Sequence, residues 1–336
     1  MPESVLDLIV GNLRSSGSTY FPQQSEVRAV RVVGHTPKSD HYIYEIVLDF
    51  PQGSQRVNAK IYRGKSGAVA STELAKRETL NLQCAHLAAE KSRLGGVPRP
   101  LGDFGDLGAV VSTKVNGLPL QSIIMKSALL PGSGNHELLK MAAGKAGGWL
   151  QRFHKATGGM PASIDSGAIL SEMEKLCAKA QKDGLPAEST GVILSNARSA
   201  LEKLKKPVRS SAVLHEFIPL NVLVAEDGIG FCEFASLNQS GYAISDVARF
   251  LAAVEALEKY PFCNRGLTAL VQDAFAEAYG LSAQEEALVA TLKMKVLLQM
   301  FAQGRTVKES AMRKKVMWAN VMKRFLQQAA ERSVAA

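Results

Sequence analysis

Glu216, Asn221 and Glu233 follow one another at intervals of five and twelve residues. That spacing suits phosphoryl transfer. One carboxylate orients and deprotonates an attacking hydroxyl, the asparagine and the second carboxylate hold Mg²⁺, and a lysine steadies the α- and β-phosphates of ATP. Lys60 is the lysine that the sequence offers. It lies in residues 57–62 (VNAKIY), where alternation sets Val57, Ala59 and Ile61 on one face and Lys60 on the other. A lysine on the outer face of a strand is ordinarily only solvated. The helix that follows supplies Glu73 and Glu78 as partners, and Glu78, mid-helix, is the expected one.

These residues need elements to hold them. Residues 28–34, 42–50 and 56–63 are β-branched and alternating, and Pro51, Gln52, Gly53 and Ser54 form a turn between the last two. The pattern predicts three antiparallel strands after a short helix at 2–14. A helix over 71–92 follows, with Ser71 or Thr72 as its N-cap. A strand pair ends at 109–113, and Asn116, Gly117 and Pro119 break the chain. The expected organisation is an α+β fold with a β-rich N-lobe, residues 1–115, and a helical C-lobe, residues 116–336. C-lobe helices are expected at 135–157, 169–183, 188–206, 243–259, 265–279, 283–303 and 308–332. A hairpin of 222–224 and 230–232 turns at Glu226, Asp227 and Gly228.

The segment Leu214-His215-Glu216-Phe217-Ile218-Pro219-Leu220-Asn221-Val222-Leu223-Val224, with Cys232-Glu233-Phe234 and Asp246-Val247-Ala248-Arg249-Phe250-Leu251 after it, resembles the aminoglycoside phosphotransferase-like and choline-kinase-like branch of the protein-kinase-like fold. That branch reads His-Gly-Asp-Phe-x-Pro-x-Asn, then Ile-Asp-Phe-Glu, then Asp-(Leu or Val)-Ala-x-Phe-Leu. Residues 77–100 and 149–154 also resemble it, so the likeness spans about residues 28–280. Keeping the acid-to-asparagine spacing sets Glu216 on the branch's catalytic aspartate and Glu233 on its metal-binding aspartate. Leu214 then replaces the histidine and His215 the glycine. The rival register sets His215 on the histidine but leaves Phe217 at the base position. The resemblance implies a bilobed kinase-like fold and nucleotide binding by Lys60 and Glu78. It implies backbone contacts to adenine from Val111, Ser112 and Thr113, and Mg²⁺ on Asn221 and Glu233. It also implies that Asp246 braces the catalytic segment, where it is the expected N-cap of its helix too, and that His154 supports the same segment.

The 336 residues carry a net charge of +9, with 46% hydrophobic and 21% charged residues, the profile of a globular protein. Four cysteines form no CxxC pair and read as small buried residues in a reducing compartment. The first residues lack a basic region before an apolar stretch, so no signal peptide is expected. No apolar run is long enough to span a membrane, and the expected location is cytoplasmic. Residues 304–336 hold eight basic and two acidic side chains, +6 of the +9. They read as a packed helix with a basic edge. Aromatics are 6% of the chain and no base-reading motif is present, which argues against nucleic acid. The positive charge disfavours a polycationic acceptor and favours a sugar, a polyol or a saccharide bearing an anionic group. The function expected is ATP-dependent phosphorylation of a hydroxyl on a small molecule or saccharide. The alternative is a pseudokinase that binds nucleotide or a partner without catalysis.

Overall fold

The computed structural model describes residues 4–64, 68–129, 136–204, 206–260, 263–306 and 326–327. The expected helix at 308–332 lies outside the described residues except for Leu326 and Gln327. The chain divides into two compact units. One is Met1–Gly117 with Gly230–Leu237, and the other is Leu118–Ile229 with Asn238–Ala336. The segment carrying Glu233 therefore belongs to the first unit, although it follows the hairpin in sequence.

In the first unit, α1 (Val5–Tyr20) begins at a capping box in which Ser4 and Asp7 bond each other's backbone N–H. It runs six residues past the expected end, through the Ser-rich stretch, because Gly17 lets the helix approach Val27 and Leu48. Strands β1 (Ala29–Pro37), β2 (His41–Phe50), β3 (Gly53–Tyr62) and β4 (Ala109–Thr113) form one antiparallel sheet in that order. One face is the core. Ile46, Leu48, Val57, Ala59, Ala109 and Val111 pack with Ile9 and Leu13 of α1. The pairing Ile43–Lys60–Val110 across β2, β3 and β4 sets Lys60 on the other face. Helix α2 (Ala68–Lys91) starts three residues before Ser71, so Ser71 and Thr72 lie inside its first turns and not at its cap. Before β4 the chain makes a 3₁₀ turn, Gly105–Leu107, and a single bridge, Pro100–Ser112, where a strand pair was expected.

The second unit is mostly helical. It contains β5 (Leu118–Pro119), α3 (Leu120–Leu129), α4 (His136–Ala156), α5 (Ser166–Lys182) and α6 (Ala187–Glu202). Then come β6 (Ser210–Val213), β7 (Val222–Ala225), β8 (Gly228–Phe231), whose end passes into the first unit, and β9 (Asn238–Tyr242). Three helices follow: α7 (Ile244–Glu255), α8 (Arg265–Tyr279) and α9 (Ala283–Thr306). β6 pairs antiparallel with β9 and β5 with β7. The centre of this unit is aromatic. Trp149 stacks on Phe217 at 5.6 Å and Phe250 on Phe275 at 3.8 Å between centroids. Helices α4 and α8 approach so closely that a Cβ at Gly147 would strike the carbonyl of Phe275. No helix among the described residues is long and apolar enough to cross a membrane. Cys177 is buried, but Cys84 and Cys232 are exposed, against the expectation that the cysteines pack inside.

Candidate functional site

Lys60 is not solvated. Its Nζ lies 3.1 Å from Glu78 Oε1 and 3.0 Å from Glu233 Oε1, and the lysine side chain is 13% exposed. Glu78, rather than Glu73, is its helical partner. The other oxygen of Glu78 accepts from Tyr62 Oη at 2.5 Å. Burial works against the charge on Lys60, but the carboxylates of Glu78 and Glu233 outweigh it and hold its pKa above the ordinary lysine value. Burial likewise raises the Tyr62 phenol, and Glu78 adds to the effect. His41 beside them is pushed down by burial and by the Lys60 charge, against the pull of Asp40.

Three hydrogen bonds and one close packing contact fix Glu233 where Lys60 can reach it. Phe231 N donates to Gly96 O at 2.9 Å. Asn81, one turn after Glu78 on α2, donates from Nδ2 to the carbonyls of Phe234 and Leu237, each at 3.1 Å. Gly230 is wedged against Val115 and Gly96, where a Cβ would not fit. Sequence reasoning missed Asn81 and Tyr62. An i, i+3 step from Glu78 and an i+2 step from Lys60 were the signals that could have pointed to them.

Val111, Ser112 and Thr113 lie in β4. Val111 O accepts from Leu101 N, and Thr113 N donates to Arg99 O, both at 2.9 Å. Lys114 N donates to Arg56 O. These groups are engaged within the sheet and its flanking segment, so the next main-chain groups along the chain are those of residues 115–117.

In the second unit, the segment 214–221 is gripped from α7 and anchored by Phe217 in the aromatic centre. Asp246 is fully buried, and its two oxygens accept from Leu214 N and His215 N at 2.7 Å each. Its Oδ2 also meets His154 Nε2 at 3.1 Å, and His154 Nδ1 meets Tyr279 Oη at 2.9 Å. An ionised carboxylate can only accept, so His154 donates through Nε2, and in the neutral imidazole Nδ1 then accepts a hydrogen bond from Tyr279 Oη. Asp246 is not the N-cap of α7. That position is Ala243, without a side-chain cap, and Asp246 sits inside the first turn, its carboxylate spent on the loop. His154 is a buried member of the same chain of bonds, and Tyr279 extends it.

His215 adopts φ +59°, the left-handed region that favours glycine. Glu216 follows, and its Oε1 lies 2.7 Å from Arg249 Nη2. Asn221 Nδ2 donates to Glu216 O at 3.0 Å. Arg249 stands one turn after Asp246, and sequence reasoning passed over it as a variable position. The first unit thus brings Lys60, Glu78 and Glu233 together, and the second brings Glu216 and Asn221 together. Among the described residues, no group of three or more His, Cys, Asp or Glu side chains is gathered around a point that could hold a metal.

No family model matches this chain, and no curated protein matches it. Solved structures do. A glucosamine kinase is 14% identical with a TM-score of 0.55, over 93% of this chain and 97% of that one. A putative aminoglycoside phosphotransferase from Ralstonia eutropha is 11% identical with a TM-score of 0.57, over 95% and 98%. A choline kinase from Streptococcus pneumoniae is 14% identical with a TM-score of 0.51, over 98% and 99%. Over nearly its whole length, this chain has the α+β kinase-like fold of these proteins.

Proposed function

We propose that the protein is an ATP-dependent phosphotransferase acting on a hydroxyl of a small molecule or saccharide. The observation that carries the reading is the placement of Lys60, a buried cation shared between a helical carboxylate, Glu78, and the carboxylate of Glu233. A cation held in this way is preorganised for nucleotide phosphates. The solved kinases support the reading. One glucosamine kinase structure holds glucosamine, ADP and inorganic phosphate, and an amicoumacin kinase holds AMP-PNP and Ca²⁺.

Each residue then takes a role. Lys60 binds the α- and β-phosphates and Glu78 orients it, while Tyr62 holds Glu78. The nucleobase is assigned to the end of β4, with main-chain contacts from residues 115–117 beside the expected Val111, Ser112 and Thr113. Glu216 orients the acceptor hydroxyl and takes its proton. Asn221 and Glu233 are the protein ligands of the metal. The amide nitrogen of Asn221 donates to Glu216 O, and an amide coordinates metal through its oxygen, so the ligand atom would be Oδ1. Amide and carboxylate oxygens suit Mg²⁺, which takes few protein ligands and completes its shell with phosphate and water. When bound, the metal would supply positive charge that offsets the charge developing on the phosphates.

The left-handed backbone at His215 supports the register in which this residue stands for a glycine and Glu216 for the catalytic aspartate. Both motif acids are then glutamates. The +9 charge favours an acceptor that is not polycationic. One observation favours the alternative of a nucleotide-binding pseudokinase: Glu216 and Glu233 are both engaged by cations of the chain itself, Arg249 and Lys60.

Calorimetric titration of ATP with and without Mg²⁺ tests the reading. Mg²⁺ is expected to tighten binding in the natural chain and to lose that effect in Glu233→Ala. Nucleotide affinity indifferent to both would refute the metal assignment.

A further inference from the structure

The grip of α7 on the candidate catalytic loop covers three consecutive residues. Asp246 holds the backbone N–H groups of Leu214 and His215, and Arg249, three residues later on the same helical face, holds the side chain of Glu216. The two contacts differ in kind. The first fixes the path of the main chain. The second fixes where a flexible carboxylate points. Oε1 of Glu216 is bound to Arg249 Nη2 at 2.7 Å, while Oε2 has no partner among the described residues. Arg249 Nε is enclosed without a hydrogen-bond partner, so the guanidinium faces Glu216 through one arm only. A single-armed ion pair at a partly exposed position adds little stability. It does remove rotamers from a side chain with three torsions.

We propose that Arg249 is the positioning residue for Glu216. It binds one carboxylate oxygen and leaves the other directed to the acceptor hydroxyl. The side chain of Glu216 is one methylene longer than an aspartate, and its free carboxyl would sample positions on the order of 1 Å apart. Misplacement on that scale costs about 10²-fold in rate. Arg249 touches neither nucleotide nor acceptor in this scheme and acts through Glu216 alone. The inference rests on the phosphotransferase reading.

The test is a double-mutant cycle on the full chain, with ATP turnover measured on the best hydroxyl acceptor found. Arg249→Ala is expected to lower kcat about 10- to 100-fold and to leave the KM for ATP within about twofold. Arg249→Lys, which keeps the charge, is expected to recover part of the loss. In a Glu216→Gln background, Arg249→Ala should add less than about a twofold further loss, because residues acting as a unit are not additive. Thermal midpoints within a few degrees exclude a folding defect. An additive loss in the double variant, or an unchanged kcat in Arg249→Ala, would overturn the role of Arg249 and leave the phosphotransferase reading standing. Absence of turnover in the natural chain would overturn both.

Discussion

Lys60 and Glu233 lie 173 residues apart in sequence and 3.0 Å apart in space, within the same compact unit. With Glu78 they place two carboxylates on one ammonium in a largely buried site. Removing the lysine leaves Glu78 enclosed without its cation, where burial and the charge of Glu233 already raise its pKa. Lys60→Met is therefore expected to cost about 3 kcal/mol, in the range for breaking a buried pair from one side. Urea unfolding of the two proteins at pH 7 measures it. A cost below about 1 kcal/mol would show that the pair is not formed in solution.

The same pair has a pH signature. The folded pKa of Lys60 is raised, so its stabilisation is fully present below the ordinary lysine value of about 10.4 and is lost only as pH rises through the folded value. The stability difference between the natural chain and Lys60→Met should thus be constant from pH 7 to about pH 10 and shrink above it. Denaturation midpoints across that range check the sign. A difference that faded between pH 7 and 9 would contradict it.

Asp246 carries two backbone N–H bonds and the imidazole of His154 without access to water. Asp246→Asn turns one acceptor into an NH₂ group facing donors. Hydrogen bonds to a charged group contribute about 1.5–3 kcal/mol each, so a loss of at least about 2 kcal/mol is expected in chemical denaturation. Phosphoryl transfer should fall with it, because Leu214 and His215 lose their anchor. Tyr279→Phe removes only the last link and should cost about 1 kcal/mol.

His215 holds a left-handed conformation that costs a side-chain-bearing residue about 1–2 kcal/mol. Glycine adopts it freely but gives back about 0.5–1 kcal/mol through the flexibility of the unfolded chain. His215→Gly should therefore be neutral to about 1 kcal/mol stabilising, whereas His215→Val should be clearly destabilising. Thermal denaturation of the two variants separates them. A destabilised glycine variant would mean that the imidazole itself holds the loop.

Much of the architecture was legible because alternation is a strong signal. The pattern of 42–63 marked β2 and β3 and the face that carries Lys60, and helical spacing marked α8 over its full length. What escaped depended on contacts between distant residues. Strands β6 and β9 are short and, among the described residues, pair with each other in a two-stranded sheet, and nothing in residues 210–213 or 238–242 marks them locally. The start of α2 was misplaced because Ser71 and Thr72 are good caps, yet the helix had already begun at Ala68. Asp246 looked like a cap because Asp favours that position. Its carboxylate is instead used across 31 residues of sequence, which local reasoning cannot register. In the candidate site, the residue types and their spacing were visible, but the partners that orient them, Asn81, Tyr62, Tyr279 and Arg249, were not. Each is an ordinary polar residue whose role comes from what the fold sets beside it.

The most direct measurement is ATP turnover on a panel of sugars, amino alcohols and lipid-linked saccharides by the natural chain and by Glu216→Gln, with nucleotide affinity measured on both. The expected result is phosphorylation of at least one acceptor, cut by roughly 10²–10⁴ in Glu216→Gln, with ATP affinity nearly unchanged. Phosphorylation insensitive to Glu216→Gln would contradict the role of Glu216. ATP binding without turnover on any acceptor would contradict the phosphotransferase itself and leave a nucleotide-binding pseudokinase.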